Sequence, residues 1–348
     1  MKANTGFDYF LQNYLRFPCY YRSTLHGALL TAYDKIRDCI IQYAKETIVI
    51  GVTVAEVQSV FRMLKHDCPW MFFVEKISYQ SYLITNKIAI VSPVYRMEHT
   101  EVDNYLSTLL ASFSKIRLFN ISGSGSKSTI VTSLHDYFCE NVRYDNSLDP
   151  LSFECIGPLI YRKGVCEGIS RAIKFCLDLL NIPALVVHGR VKEEQRLTQY
   201  INNIEGHTWN LIQLDGVYYH FDITYDLTLQ AYGIIRYDYY GLSDKEITVD
   251  HILPTLCTIP RCIEGLKYYN LHGCYLQKPS DYYNYLQSNL CNGLKDIVFQ
   301  LPYTTDFQKV KELVFRLTKN WIDESIAYPC SYQMIYNPYR CTFQLHFQ

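Results

Sequence analysis

The dipeptide Asp215-Gly216 separates two short runs in which apolar and polar side chains alternate. Alternation is the pattern of a strand with one buried face, and Asp-Gly is a favoured two-residue turn between antiparallel strands. Such a turn pairs Leu214 with Val217 and fixes the register of the hairpin on either side. The chain is therefore predicted to contain an antiparallel sheet built around this turn.

The register predicts which side chains of the hairpin share a face. His207 is expected opposite Thr224, and Trp209 opposite Asp222. Because successive side chains point to opposite faces of a strand, His207, Trp209 and Asp222 share one face, and His220 lies on it too. His207 and Asp222 become diagonal neighbours with backbones about 7–8 Å apart, a gap that side chains can bridge. A slip of one residue would separate them.

A cysteine stands directly before a helical pattern upstream of this hairpin, in Gly164-Val165-Cys166-Glu167-Gly168. The apolar residues that follow at helical spacing are Ile169, Ala172, Ile173, Cys176, Leu177 and Leu180. Cys166 is therefore expected in a first helical turn, where free N–H groups and the helix dipole favour a thiolate and can stabilise an oxyanion. Gly164 and Gly168 are expected to allow a sharp turn and the close approach of a substrate chain.

A cysteine, a histidine and a carboxylate are the parts of a sulfur nucleophile activated by a base. Cys166 is the candidate nucleophile, His207 the base, and Asp222 the carboxylate that orients the imidazole. Each residue alone would more often be structural, as a core thiol, a strand histidine or a turn former. Their combination with the glycines and the shared face favours catalysis. His220 and Asp226 are the weaker alternatives for the base and the carboxylate.

Composition limits the other classes of function. Apolar residues make up 49% and charged residues 19% of the 348 residues, which is an ordinary globular composition. The 33 basic and 34 acidic residues give a net charge of −1, which argues against a nucleic-acid or anionic-membrane partner. No apolar run approaches about 18 residues, so no membrane-spanning helix is expected. Thirteen scattered cysteines and an N-terminus without a secretion-signal pattern predict reduced thiols and a cytoplasmic location.

Three regions are predicted along the chain. They are an N-terminal α+β region at 1–121, a core that carries the chemistry at 122–252, and a C-terminal α+β region at 253–348. The Gly- and Ser-rich segment 122–128 lacks the Gly-Lys-Ser/Thr ending of a phosphate loop. It is interpreted as a flexible connection that ends in a helix cap at Ser128.

The flanking regions show ordinary helix and strand patterns. A capping box at Thr53 and Glu56 predicts a helix that ends near Pro69. An apolar stripe from Phe307 to Trp321 predicts a second helix. Strands are predicted at 79–84, 88–91, 294–301, 333–336 and 342–347.

These motifs together resemble the transglutaminase-like superfamily of cysteine enzymes, above all its bacterial members. The resemblance is carried by Gly164-Val165-Cys166-Glu167-Gly168-Ile169, by His207-Thr208-Trp209-Asn210 and by Tyr219-His220-Phe221-Asp222-Ile223-Thr224. His135-Asp136-Tyr137 and the segment 240–251 are also similar to parts of the bacterial members. The specific match covers 128–251.

The resemblance implies a papain-like α+β core in which the cysteine-bearing helix packs on an antiparallel sheet. It implies a triad of Cys166, His207 and Asp222 that attacks an amide of a peptide or protein and forms a thioester. The acyl group then passes to an amine or to water. Hydrolysis is slightly favoured, because bacterial members are closer to peptidases or amidases than to cross-linkers. No cofactor and no metal is expected.

Residues around the triad are less well defined. Trp209 is expected either to shield the site or to pack in the core, and Gly164 is a candidate for contact with the substrate. The family often has an aromatic or polar residue before Gly157, where this chain has Cys155-Ile156. The second oxyanion donor is therefore not identified, and Tyr161 is the candidate.

Two alternatives remain open. Zinc could be imagined at a group of thiols and imidazoles, but their spacing contains no Cys-x-x-Cys pair and prolines interrupt it, so a zinc site is not favoured. That group consists of His251, Cys257, Cys262, His272 and Cys274. An inactive transglutaminase-like module that binds other proteins would keep the fold without turnover.

Overall fold

The fold is given by a computed structural model, which describes residues 6–14, 17–81, 88–120, 125–192, 206–255, 257–325 and 331–348. The helices are α1 Gly6–Tyr14, α2 Tyr20–Thr24, α3 Gly27–Ile41, α4 Val54–Asp67, α5 His99–Asn120, α6 Lys127–Asn141, α7 Cys166–Leu179, α8 Ile223–Thr228, α9 Asp244–Ile247, α10 Tyr268–Leu271, α11 Pro279–Cys291 and α12 Phe307–Ser325. The strands are β1 Thr47–Ile48, β2 Val74–Ser81, β3 Ile88–Tyr95, β4 Arg143–Tyr144, β5 Lys163–Gly164, β6 Ala184–Val191, β7 His207–Leu214, β8 Val217–Phe221, β9 Tyr240–Leu242, β10 His251–Ile252, β11 Asp296–Gln300, β12 Tyr332–Asn337 and β13 Thr342–Phe347.

A five-stranded antiparallel sheet in the order β10-β6-β7-β8-β9 positions the site. Helix α7 packs on this sheet, mainly against β6 and β7, and its apolar side chains Ile169, Ile173 and Leu177 are buried. The predicted α+β class, with the cysteine-bearing helix on an antiparallel sheet, is confirmed.

The register predicted from Asp215-Gly216 is confirmed over the strands. Leu214 pairs with Val217, and the pairing continues to Asn210 opposite Phe221. Beyond that pair the prediction is wrong, because β8 ends at Phe221 and α8 begins at Ile223. His207 and Trp209 therefore have no strand partners on this side, and Asp222 lies at the junction of strand and helix.

The N-terminal region shares its hydrophobic core with the cysteine-bearing helix. Phe10 and Tyr14 of α1 stack on Phe175 of α7, and one buried cluster contains residues from both regions. Buried Lys65 of α4 also pairs with Glu154 at 2.9 Å. The core therefore crosses the boundary predicted near residue 121, and the division into three regions stays a prediction.

The predicted capping box of α4 is confirmed, since the side chain and backbone of Thr53 exchange hydrogen bonds with Glu56. The helix ends at Asp67, as predicted. The cap predicted for α6 is wrong by two residues: Ser126, not Ser128, accepts the hydrogen bond from the Thr129 amide. Residues 122–124 of the predicted connection and residues 82–84 of the predicted strand at 79–84 lie outside the described residues.

The C-terminal region forms a three-stranded sheet in the order β11-β13-β12 with a core of its own. The predicted strands and the helix from Phe307 are confirmed there. Among the described residues, no helix is long and apolar enough to cross a membrane.

Candidate active site

Cys166 is the first residue of α7, as predicted, and Val165 is its N-cap. The first intrahelical bond runs from the Ile169 amide to the Val165 carbonyl, at 2.9 Å. The amides of residues 166–168 precede that bond and have no intrahelical acceptor. Their N–H groups therefore give a positive helix end at the thiol, whose residue is only 1% exposed.

Two polar side chains fix α7 to β7. The Ser170 hydroxyl donates to the Thr208 carbonyl at 3.0 Å. In the opposite direction, the Asn210 amide donates to the Ser170 carbonyl at 3.0 Å and to the Leu185 carbonyl at 3.2 Å. All these groups are buried, so each bond satisfies a polar atom that water cannot reach. The helix carrying the thiol is thereby held in register with the strand carrying His207.

His207 and Asp222 form a short, buried hydrogen bond. The distance from His207 Nε2 to Asp222 Oδ2 is 2.6 Å, and both side chains are inaccessible to solvent. Asp222 is also the N-cap of α8, where its Oδ1 accepts from the Tyr225 amide at 3.2 Å. One carboxylate therefore ends β8, begins α8 and holds the imidazole.

The charges of this pair stabilise each other. Burial alone would lower the pKa of His207, but the Asp222 carboxylate and the Cys166 thiol raise it to about 10. Burial alone would raise the pKa of Asp222, but His207 and His251 hold it below its usual value. Nδ1 of His207 is buried and has no hydrogen-bond partner among the described residues. The nearby Cys166 thiol nevertheless contributes to the raised pKa of His207. Such a contact is often long before substrate binds.

The structure thus brings Cys166, His207 and Asp222 together in one buried space. The aspartate reaches His207 from the end of β8, and not from the diagonal strand position that the sequence predicted. Asp226 belongs elsewhere, since it pairs with His135 Nε2 at 3.1 Å.

Trp209 combines the two roles predicted for it. Its ring packs in a small buried cluster with Leu185, Val187, Leu211 and Cys262. It also lies against the His207 ring, with centroids 5.9 Å apart and planes at 22°. The indole N–H is held in turn by His220, whose Nδ1 accepts it at 2.9 Å.

This indole bond fixes the tautomer of His220. An indole N–H only donates, so His220 Nδ1 must be the acceptor. The proton of the neutral ring is then on Nε2, which lies 3.0 Å from Asp244 Oδ1. His220 therefore orients Trp209 and does not reach the thiol through a free nitrogen.

The surroundings of the other predicted contacts differ from those expected. Tyr161 is 42% exposed, and its hydroxyl pairs with that of Tyr105 at 3.0 Å. Gly164 and Gly168 are needed for close packing within the chain: a side chain at Gly164 would meet Pro158, and one at Gly168 would meet the Ser152 carbonyl. The Cβ direction at each glycine is therefore filled by the protein's own atoms, and the contact of Gly164 with a substrate stays a prediction.

The sequence interpretation did not place two further residues at the triad, namely Tyr144 and His251, and it considered His251 only as a zinc ligand. Tyr144 pairs with Gly164 across the short parallel β4–β5 ladder, and its buried hydroxyl has no partner among the described residues. Burial, together with Cys166 and Asp222, raises the pKa of Tyr144 above its usual value. His251 of β10 lies 3.0 Å from Asp222. The only signal for either residue in the sequence was the resemblance to the superfamily, since residue 144 lies within the match at 128–251 and His251 lies in the segment 240–251.

Two groups of side chains could be considered as metal ligands. In the first, the Nε2 atoms of His207 and His251 lie 2.6 and 3.0 Å from Asp222 Oδ2. Ligands of a tetrahedral zinc ion, bound at about 2.0–2.2 Å, would lie roughly 3.3 Å apart. The observed separations fit N–H···O hydrogen bonds better than metal coordination.

The second group is His220, Asp244 and Cys262. The Trp209 indole requires the proton on His220 Nε2, and a protonated nitrogen cannot bind a metal. The other residues once considered for zinc lie elsewhere: Cys274 accepts from the Tyr285 hydroxyl, and His272 contacts its own helix. The eleven cysteines that the structure describes are free thiols.

A family model matches part of the chain, and two solved structures are weakly similar to it. Residues 119–223 match the model of the Transglutaminase-like superfamily, and this range includes Cys166, His207 and Asp222. No curated protein matches the chain significantly. A TGase of known structure shares 14% identity over 43% of this chain and 44% of its own, with a TM-score of 0.30. A proposed cysteine protease from Cytophaga hutchinsonii shares 14% identity over 43% of this chain and 61% of its own, with a TM-score of 0.28.

The chain thus spans less than two thirds of either solved structure. It contains, at residues 119–223, a domain of the transglutaminase-like superfamily.

Proposed function

We propose that the protein is a cysteine enzyme that attacks a peptide or protein amide and forms a thioester on Cys166. The observation that carries the proposal is the 2.6 Å bond from His207 to Asp222, next to the thiol at the start of α7. A protonated imidazole beside a thiol favours the thiolate, which is the nucleophilic form. The raised pKa of His207 supports this charge state at neutral pH.

Acylation would proceed without a cofactor. The thiolate of Cys166 forms a bond to the carbonyl carbon while the carbonyl π electrons move to oxygen. When the tetrahedral intermediate collapses, the C–N bond breaks, and His207 gives its proton to the leaving amine. In the second half, neutral His207 takes a proton from water or from an attacking amine. The S–C bond then breaks, which restores the thiolate and the imidazolium.

The oxyanion needs hydrogen-bond donors next to the sulfur. The Cys166 amide supplies one from the helix end. We assign the second to the Tyr144 hydroxyl, in place of Tyr161, because this hydroxyl is buried and has no partner among the described residues, and Tyr144 pairs with Gly164. Two donors from different elements would then converge on the developing charge.

Water and amines compete for the thioester. We favour hydrolysis slightly, and the preference is tested by incubating the protein with a peptide library, with and without a primary amine. Mass spectrometry distinguishes the carboxylic acid from the new amide. A dominant new amide would assign transamidation.

The central experiment compares two thiols of the same helix. Cys166 and Cys176 are equally buried, so a difference between their rates of alkylation reports chemistry and not access. Peptide mapping after brief treatment with iodoacetamide at neutral pH should show faster modification of Cys166. Cys166→Ala should abolish acyl release from the peptides, whereas Cys176→Ala should retain it.

Turnover that survives in Cys166→Ala would overturn the proposal. Equal alkylation of the two thiols, together with no turnover of any peptide, would instead favour the inactive binding module. That alternative has one observation on its side, which is the nearly complete burial of Cys166.

A further inference from the structure

A second histidine binds the triad carboxylate at the same oxygen as His207. His251 lies on the edge strand β10, which pairs with β6. Its Nε2 is 3.0 Å from Asp222 Oδ2, the same oxygen that binds His207. Neither side chain is accessible to solvent. One oxygen of Asp222 therefore contacts two imidazoles, whose ring centroids are 5.3 Å apart.

Both nitrogens of His251 face carboxylates. Nδ1 lies 2.7 Å from Asp250 Oδ1, and Nε2 faces Asp222. The ring form that can donate to both carboxylates at once is the imidazolium, with a proton on each nitrogen. Burial alone would raise the pKa of Asp250, but Arg340 and His251 hold it below its usual value. Asp222 is held low as well, so both acceptors are ionised.

The far end of this arrangement comes from the C-terminal region. Arg340 lies between β12 and β13, and its Nη2 donates to Asp250 Oδ1 at 2.7 Å. Its Nη1 donates to the Glu246 carbonyl at 2.5 Å, and its guanidinium lies over the Tyr239 ring, 4.6 Å from the centroid. Tyr239 also donates its hydroxyl to Asp250. Asp250 is thus held by two residues besides His251.

We infer that His251 and Arg340 are positioning residues for the triad, so that docking of the C-terminal region completes the active site. The inference rests on the proposed function and adds to it. The charges alternate along one line of contacts, which runs Arg340, Asp250, His251, Asp222, His207 and Cys166.

The arrangement has two physical effects. His251 fixes the direction of the Asp222 oxygen that binds His207, and it shares the negative charge of that oxygen. Without its positive charge, Asp222 would act on His207 alone and raise the pKa of His207 further. Loss of Arg340 would also raise the pKa of His207, but by less, because two more ion pairs separate Arg340 from the site.

The experiment follows the reaction of Cys166 with iodoacetate across pH, measured by peptide mapping. Iodoacetate is an anion, so its reaction should slow on the basic side, where His207 loses its proton. The fall in rate at high pH is the basic limb of the pH profile. In His251→Gln the basic limb should shift to higher pH by about one unit or more, which is the effect of losing a charge within contact distance. Arg340→Met should move it less in the same direction, and Arg340→Lys should restore it.

Arg236→Met is the matched control. Arg236 is another buried arginine, paired with Asp238 at 2.9 Å and bonded to Thr342 of β13. Its loss should lower the melting temperature as much as the loss of Arg340, but it should leave the basic limb unmoved. A limb that stays in place in both His251→Gln and Arg340→Met would overturn the inference.

Measurements on the unsubstituted protein cover the case in which the variants fail to fold. With ¹⁵N-labelled histidine, His251 should give the spectrum of a ring protonated on both nitrogens at neutral pH; a neutral ring would overturn the inference. If Cys166 of this protein shows no enhanced reaction and no basic limb, the proposed function fails first, and the inference fails with it.

Discussion

Asn210, in the middle of β7, donates its side-chain amide at 3.0 Å to the backbone carbonyl of Ser170, which lies about one turn into α7. The same amide reaches the Leu185 carbonyl of β6. One side chain therefore joins the helix of the nucleophile to two strands of the sheet.

Asn210→Ala is expected to destabilise the fold and to slow the reaction at Cys166. It removes two buried hydrogen bonds, each worth about 0.5–1.5 kcal/mol net. Chemical denaturation should show a lower free energy of unfolding. Gln213→Ala is the control on the same strand, since Gln213 bonds only the exposed turn at Gly216, and its effect should stay within about 0.5 kcal/mol. Equal losses in both variants would contradict the prediction.

Asp222→Asn is expected to move the basic limb of the iodoacetate reaction to lower pH. With Asp222 ionised, the pKa of His207 is about 10, above its unperturbed value of about 6.5. The pair therefore contributes stability that is fully present below about pH 6.5 and is lost as pH rises through about 10. Asp226→Asn serves as the control, because Asp226 pairs with His135. An equal shift of the basic limb in both variants would show that the pairing of Asp222 with His207 is not the cause of the shift.

Tyr144→Phe is expected to lower kcat by about 10²–10³, the usual effect of removing one oxyanion donor. KM should stay nearly constant, because the donor acts only when charge develops on the substrate oxygen. Alkylation of Cys166 should be unchanged, since that reaction forms no oxyanion. Tyr161→Phe should change neither rate. A loss of alkylation in Tyr144→Phe would indicate a structural role for the hydroxyl.

Trp209→Phe is expected to create a zinc site. Once the indole donor is removed, His220 can carry its proton on Nδ1 and offer Nε2 to a metal beside Asp244 and Cys262. Titration with Zn²⁺ should detect at least tenfold tighter binding than in the unsubstituted protein. Adding Cys262→Ser should remove the gain. Tight binding before the substitution would refute the tautomer assigned to His220.

Sequence patterns were sufficient wherever local physics decides the structure. The Asp215-Gly216 turn fixed the pairing from Leu214 to Asn210, and the apolar stripe after Cys166 placed the thiol at a helix start. Both depend on residues that are close along the chain.

Prediction failed where distant segments meet. The strand pattern could be continued through Asp222. In the structure, the side chain of Asp222 accepts a hydrogen bond from the Tyr225 amide and its backbone amide donates to the Tyr239 carbonyl, and the strand ends there. His251 reaches Asp222 across 29 residues, and no local periodicity encodes that contact. Tyr144 likewise reaches the site only because β4 lies beside β5.

The sulfur of Cys166 is enclosed by the protein, and only 1% of the residue is exposed to solvent. Under the proposed function, a polypeptide substrate would therefore reach the sulfur only after the surrounding segments open. The overall speed of such a catalyst on large substrates would then follow the frequency of that opening, and faster bond-making alone would not raise it.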